Sequence, residues 1–150
     1  MPIVIEQTCP VAAETAWQAI TDHSRMIQWF FADIPDFKPE VGFETEFNVN
    51  CNGRDFLHLW RITAVDPGKS ITYHWAYRDI AGAANVVFEV LGNDQSATVK
   101  LTNTVTEPFP ADIPDFSREA GVAGWTYFIQ GALKDYLTDG GDCGWSADQD

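Results

Sequence analysis

Three histidines, His23, His58 and His74, are the first places to look for proton-transfer chemistry, because an unperturbed imidazole changes charge near neutral pH. They lie far apart in the chain. His23 falls at the start of a short predicted helix and reads as exposed. His74 alternates with Tyr73 and Trp75, so a register that turns those rings inward turns His74 out. His58 shares a period-two face with Phe56, Trp60 and Ile62, and in that register it faces a pocket. The opposite register turns Leu57, Leu59 and Arg61 inward, and the pattern leaves both open. For each histidine, a surface or structurally satisfied role is the commoner outcome.

Asn103 is the other conspicuous polar residue. It falls between Leu101 and Val105 on an apolar strand face, where burial without a partner costs about 1–3 kcal/mol. It must anchor a neighbouring backbone group or meet a ligand. Tyr73, Tyr77 and Tyr127 carry hydroxyls that can orient a ligand or serve inside a dry core. Glu89 alternates away from Val86, Phe88 and Val90 and reads as solvated. The chain has no phosphate-cradling glycine loop, no GxSxG elbow, no HExxH and no CxxC. Asp139-Gly140-Gly141-Asp142 lacks the further acidic ligands a calcium loop needs. No nucleophile–base pair assembles, so no catalytic residue is assigned, and neither a cofactor nor a metal is implied. What remains is acid/base or orienting work by a few groups in an apolar cavity.

Those groups need a scaffold, and the composition describes one. The 150 residues are 45% hydrophobic, with six Trp and ten Phe, which suits a core or pocket built of large rings. One domain over residues 1–140 is expected, followed by an acidic, flexible tail over 141–150 in which Trp145 is the odd residue. A net charge of −13 argues against nucleic acid and anionic membranes as partners. Three scattered cysteines make neither a disulfide framework nor a zinc site. The N-terminus lacks signal-peptide character and no apolar run is long enough to insert in a membrane, so a reduced, cytoplasmic protein is expected.

The longest helical pattern is Ser117 to Asp139, with Trp125, Ile129, Leu133 and Tyr136 on one stripe and Val122, Ala132 and Leu137 widening it. Gly140-Gly141 stop it. Gly121, Gly124 and Gly131 each cost about 1 kcal/mol relative to alanine, and their small size lets something approach the helix closely. Upstream, residues 2–8 read as a strand. Ala13, Ala16, Trp17 and Ile20 then mark a first helix, and Asp22 is placed to cap a second, His23 to Phe30. From residue 43 the period becomes two, with about five strands separated by turns such as Asn52-Gly53, Asp66-Pro67-Gly68 and Gly92-Asn93-Asp94. The fold class is therefore α+β, an antiparallel sheet wrapped around the terminal helix. Ala32-Asp33-Ile34-Pro35-Asp36-Phe37 recurs as Ala111-Asp112-Ile113-Pro114-Asp115-Phe116. The flanks do not repeat, which points to shared turn chemistry rather than duplication.

Several stretches carry a family likeness. Gly124-Trp125, Phe128-Ile129, Ala132-Leu133-Lys134, Tyr136-Leu137 and Gly140 resemble the closing signature of the family named for activators of the heat-shock-protein-ninety ATPase. Ala16 to Asp22 followed by Trp29-Phe30 is similar to that family's first two helices. Val65-Asp66-Pro67 and Ile71 to Trp75 resemble its central hairpin. The resemblance implies the START-like (SRPBCC) superfamily and its birch-pollen-allergen helix-grip fold, β-α-α-β(5)-α, with a hydrophobic cavity between curved sheet and C-terminal helix. Superfamily members bind lipids, sterols, polyketides or other apolar molecules, and some cyclise or dehydrate polyketides. The eponymous co-chaperone has a second, N-terminal domain for which this chain has no room.

Three functions follow as expectations. The leading one is binding of a small hydrophobic molecule by Phe47, Trp60, Tyr73, Trp75, Phe88 and Leu101 from the sheet and Trp125 and Ile129 from the helix. Asn103, Tyr127 or His58 would set its orientation. The second is a cyclase- or hydrolase-type enzyme using the same cavity. The third is an interaction domain whose partner is a chaperone.

Overall fold

The computed structural model describes residues 2–51 and 53–138; the acidic tail with Trp145, the glycines expected to stop the last helix, and Asn52 lie outside them. Strand β1 (Ile3–Cys9) leads into helices α1 (Ala13–Thr21) and α2 (His23–Trp29). Five strands follow: β2 (Glu44–Cys51), β3 (Arg54–Asp66), β4 (Ser70–Tyr77), β5 (Ile80–Gly92) and β6 (Ala97–Glu107). They form one antiparallel sheet in the order β1-β6-β5-β4-β3-β2. Register shifts at Ile62/Ala64, Ala76/Tyr77 and Ala83/Ala84 bend the strands, as bulges do.

Alternation settles the inner face once the strands are paired. Phe56, His58, Trp60 and Ile62 are buried, whereas Leu57 and Leu59 are half-buried and Arg61 is exposed. The cross-strand pairs Phe47↔His58 and Trp60↔Trp75 put rings opposite rings, Ile62↔Tyr73 puts an aliphatic side chain opposite a ring, and a one-residue slip would expose them all. His58 therefore faces inward, and His74 lies on the other face.

The terminal helix is not uniform. Ser117 caps α3 (Arg118–Thr126) by accepting a hydrogen bond from Ala120 N at 3.1 Å. A π-helical stretch, Tyr127–Leu133, follows, and α4 (Lys134–Thr138) completes the rod. Trp125, Ile129, Leu133 and Leu137 are its buried residues, spaced strictly by four. An α-helix turns more than once in four residues, so such a stripe drifts sideways. The wider π turn takes up that drift and keeps the stripe on the sheet.

Asp22 departs from expectation. It occupies the residue before α2, but no side-chain cap forms. Its carboxylate instead accepts from the Ser24 hydroxyl (2.9 Å) and pairs with Arg25 Nε (3.1 Å). Trp29 is fixed by its Nε1 donating to Ala19 O at 2.7 Å, which ties α2 to α1 and aims the next two residues, Phe30 and Phe31, beneath the terminal helix.

Candidate functional site

Those two rings divide the space between sheet and helix. Phe30 is buried among Trp60, Trp75, Phe88, Trp125 and Phe128, at centroid distances from 4.9 to 6.4 Å. Around it the interior is filled: Tyr73, Leu101 and Ile129 are 0% exposed, and Phe88 and Trp60 are nearly so. The space expected between sheet and helix is thus filled over most of the helix's length. Trp60, Tyr73, Phe88, Leu101 and Ile129 are core residues, not its walls. Alternation and helical spacing identify a residue's face, but not which ring from another segment covers it.

A hollow of about 280 Å³ survives at the N-terminal end of α3. Trp75 and Ala84 form its floor, Asn103 bounds it on the β6 side, and Gly121, Gly124, Trp125 and Phe128 form its roof. His58, Tyr77 and Phe31 stand at one side, and Phe109, Asp115, Phe116 and Arg118 lie at its mouth. A Cβ built on Gly124 meets nothing within 4 Å, and one on Gly121 comes within 3.0 Å of Ile3 Cδ1. The helix glycines thus leave room at one position and permit close packing of β1 at the other.

Of the residues expected at a site, His58, Trp75, Asn103 and Trp125 line the hollow. Phe47 stands behind His58, stacked on it at 5.0 Å and 10°. Tyr127 does not belong: it is 65% exposed on the outside of the helix, because it falls two residues from each of Trp125 and Ile129 on the buried stripe. Phe31, Phe128 and the mouth residues Phe109 and Phe116 also line the hollow and were not among the residues expected at a site. Tyr77 was legible through its alternation with Trp75, but only as one of three equivalent tyrosines.

The polar groups are few and well defined. His58 sits among Phe31, Phe47, Trp75 and Tyr77, and its Nδ1 donates to Phe56 O at 3.0 Å. Burial outweighs that hydrogen bond and lowers its pKa to about 4, so the ring is neutral at pH 7. Its Nε2 is a lone-pair acceptor. The Tyr77 hydroxyl accepts from Trp75 Nε1 at 2.9 Å. Burial pushes its pKa up to about 12; the Trp75 hydrogen bond opposes that rise, and the Asp115 carboxylate adds a still smaller push upward. Asn103 Oδ1 is buried with no hydrogen-bond partner. Trp60 Nε1 and Tyr73 OH are likewise unpartnered, but in the filled interior. Among the described residues no cluster of His, Cys, Asp or Glu is arranged to hold a metal ion, and no helix is long and apolar enough to cross a membrane.

A bent antiparallel sheet closed over one long helix, with two short helices beside it and a hollow at one end, is the helix-grip architecture of START-like domains. Solved structures share it. A START superfamily protein from Mycobacterium smegmatis is 14% identical with a TM-score of 0.65, over 94% of this chain and 99% of that one. The Aha1 dimer from Colwellia psychrerythraea is 19% identical with a TM-score of 0.68, over 95% and 99%. DynU16, a protein of the dynemicin biosynthetic locus, is 18% identical with a TM-score of 0.71; the match covers 91% of this chain but only 46% of DynU16. At these identities the likeness is one of fold. No curated protein matches the chain in sequence. The family model described as Activator of Hsp90 ATPase homolog 1-like protein matches residues 10–138, and the chain belongs to that family.

Proposed function

We propose that the protein binds a small, mostly apolar, ring-bearing molecule in the hollow beneath the start of α3. The observation that carries this reading is a space of about 280 Å³ with aromatic walls and a half-buried amide, Asn103, whose buried Oδ1 has no partner. A dry cavity of about 150 Å³ accommodates benzene, so this one suits one or two fused rings. A long acyl chain would have to leave through the mouth, which makes an aromatic or compact polyketide-like ligand a better match than a lipid. DynU16's place in a biosynthetic locus supports a small-molecule role. Affinity would come from apolar burial at roughly 25 cal/mol per Å² before ordering costs.

Trp75 and Trp125 both line the hollow, so ligand entry should change tryptophan fluorescence, and native mass spectrometry should detect the complex. Gly124→Leu is the matched control. Its side chain grows into open space and removes a helix glycine worth up to about 1 kcal/mol, so it should keep the fold and abolish uptake. Undiminished uptake by that variant, or no uptake of any aromatic from a chemically varied set by the native chain, would sink the proposal.

One observation favours a second reading, an acid/base enzyme of the cyclase or hydrolase kind. His58 keeps a neutral ring with Nε2 available beside the Tyr77 hydroxyl, a donor–acceptor pair suited to moving one proton. Turnover lost in a folded His58→Gln variant that still binds ligand would select this reading over simple binding.

A further inference from the structure

The hollow carries hydrogen-bonding groups on two opposed walls, with apolar floor between them. On one wall His58 donates through Nδ1 to Phe56 O and keeps Nε2 as an acceptor, while Tyr77 accepts from Trp75 Nε1 and keeps its own hydrogen to donate. Their rings are 4.8 Å apart, so they act on one place. On the other wall Asn103 presents a side-chain amide whose Oδ1 has no partner. His58 is on β3 and Asn103 on β6, three strands apart, on the order of 14 Å sideways at the usual strand spacing, and the register sets Asn103 level with Ile62, four residues along β3 from His58. Trp75 and Ala84 occupy the strands between. One polar group on a ligand cannot serve both walls.

We propose, building on the reading of this hollow as a binding site, that its ligand is a flat, uncharged molecule of one or two fused rings with a hydrogen-bonding group at each end. His58 and Tyr77 hold one end, and Asn103 holds the other. The first wall offers one acceptor and one donor, which a hydroxyl or an amide satisfies and an acceptor-only group does not. An amide such as Asn103 takes either polarity. Carboxylates and phosphates fit poorly. The His58 ring is neutral with its one N–H given to Phe56 O, so its other nitrogen can accept but cannot donate to an anion. Asp115 stands at the mouth beside Arg118, whose guanidinium donates to Pro2 O at 3.2 Å, so the mouth carries both signs of charge. Fatty acids and phosphate-headed lipids are the apolar ligands this site discriminates against.

The test is a titration of the whole chain, followed by tryptophan fluorescence and calorimetry. The probes are naphthalene, a mono-naphthol, a naphthalenediol hydroxylated at its two far ends, and the matching dicarboxylate. Affinity should rise about tenfold with each hydroxyl, and the dicarboxylate should bind most weakly. Asn103→Leu and Tyr77→Phe should each reduce the diol to the affinity of the mono-naphthol, with folding checked by circular dichroism. Equal affinity for naphthalene and the diol would overturn two-ended recognition while leaving the binding site intact. A dicarboxylate that binds more tightly than the diol would overturn the uncharged class. A diol advantage that survives both variants would overturn the residue assignment. No binding of any of the four would overturn this proposal together with the site. Should a variant fail to fold, the four-probe ranking on the native chain decides.

Discussion

Residues 32–37 and 111–116 have the same six amino acids and open with the same turn, in which Ile34 N donates to Phe31 O and Ile113 N to Pro110 O, both at 3.3 Å; only the second continues into a 3-10 turn, Pro114–Phe116. Each turn buries its isoleucine and lays its phenylalanine against β3 and β4. Phe37 packs on Trp60 and Tyr73, and Phe116 on Phe56 and Tyr77, four residues further along the same two strands. Yet the first turn seals a solid interior, and the second borders the hollow. The difference lies in what each turn adjoins. The first follows α2 directly, and Phe30 and Phe31 are driven under the terminal helix to fill the gap. The second precedes the start of α3, where Ala120, Gly121 and Gly124 contribute almost no side-chain volume. A shared hexapeptide shapes the chain locally; whether the face beside it is filled depends on its neighbours.

Phe30 is the point at which to break that contrast. Phe30→Ala should cost about 3–5 kcal/mol in chemical denaturation, because its ring contacts rings from every side and the void cannot collapse. If the variant still folds, it should extend the hollow into the filled end and admit larger aromatic probes. A loss under about 1 kcal/mol would mean that the filled end is not rigidly packed.

The pH dependence sharpens the contrast from the hollow's side. His58 binds its proton less well in the native state, with a pKa of about 4 against 6.5 for an ordinary imidazole side chain. Its contribution is therefore complete above about pH 6.5 and is lost as pH falls toward 4, because the unfolded chain takes up the proton first. The loss should be on the order of 3 kcal/mol, read as the change in unfolding free energy between pH 7 and pH 4. His58→Gln should remove that part of the slope. An unchanged slope in the variant would place the titration elsewhere.

The smallest of the three effects concerns the mouth. Gly82 has φ +111°, and a Cβ there would stand 2.9 Å from Phe109 Cα and closer still to its ring. Phe109 in turn stacks on Phe116 at 4.7 Å. Gly82→Ala should cost about 1–3 kcal/mol and displace the Phe109–Phe116 segment, so aromatic uptake should weaken even where the fold survives. The first hexapeptide turn should be undisturbed, which amide exchange can read out turn by turn. Equal disturbance of both turns would mean that they are coupled rather than separate.

Most of the architecture was legible in the sequence, because backbone periods are local. Alternation assigned Tyr73, Trp75, Phe88 and Leu101 to one face of the sheet, and steps of four assigned Trp125, Ile129 and Leu133 to the helix face that meets it. Asn103 stood out for the same reason, a polar residue on an apolar face. The sequence could not choose the register of β3, because Phe56/His58/Trp60 and Leu57/Leu59 are both apolar rows; pairing with Phe47, Trp75 and Tyr73 chose it. Nor could it show that the hollow is confined to one end. That depends on Phe30 and Phe31 crossing to a sheet formed much later in the chain, and on glycines leaving space where they cross nothing. Which residues share a face follows from the dihedral angles of neighbouring residues. Whether that face is filled follows from the volumes of side chains brought together across long sequence separations, and only the folded chain brings them together.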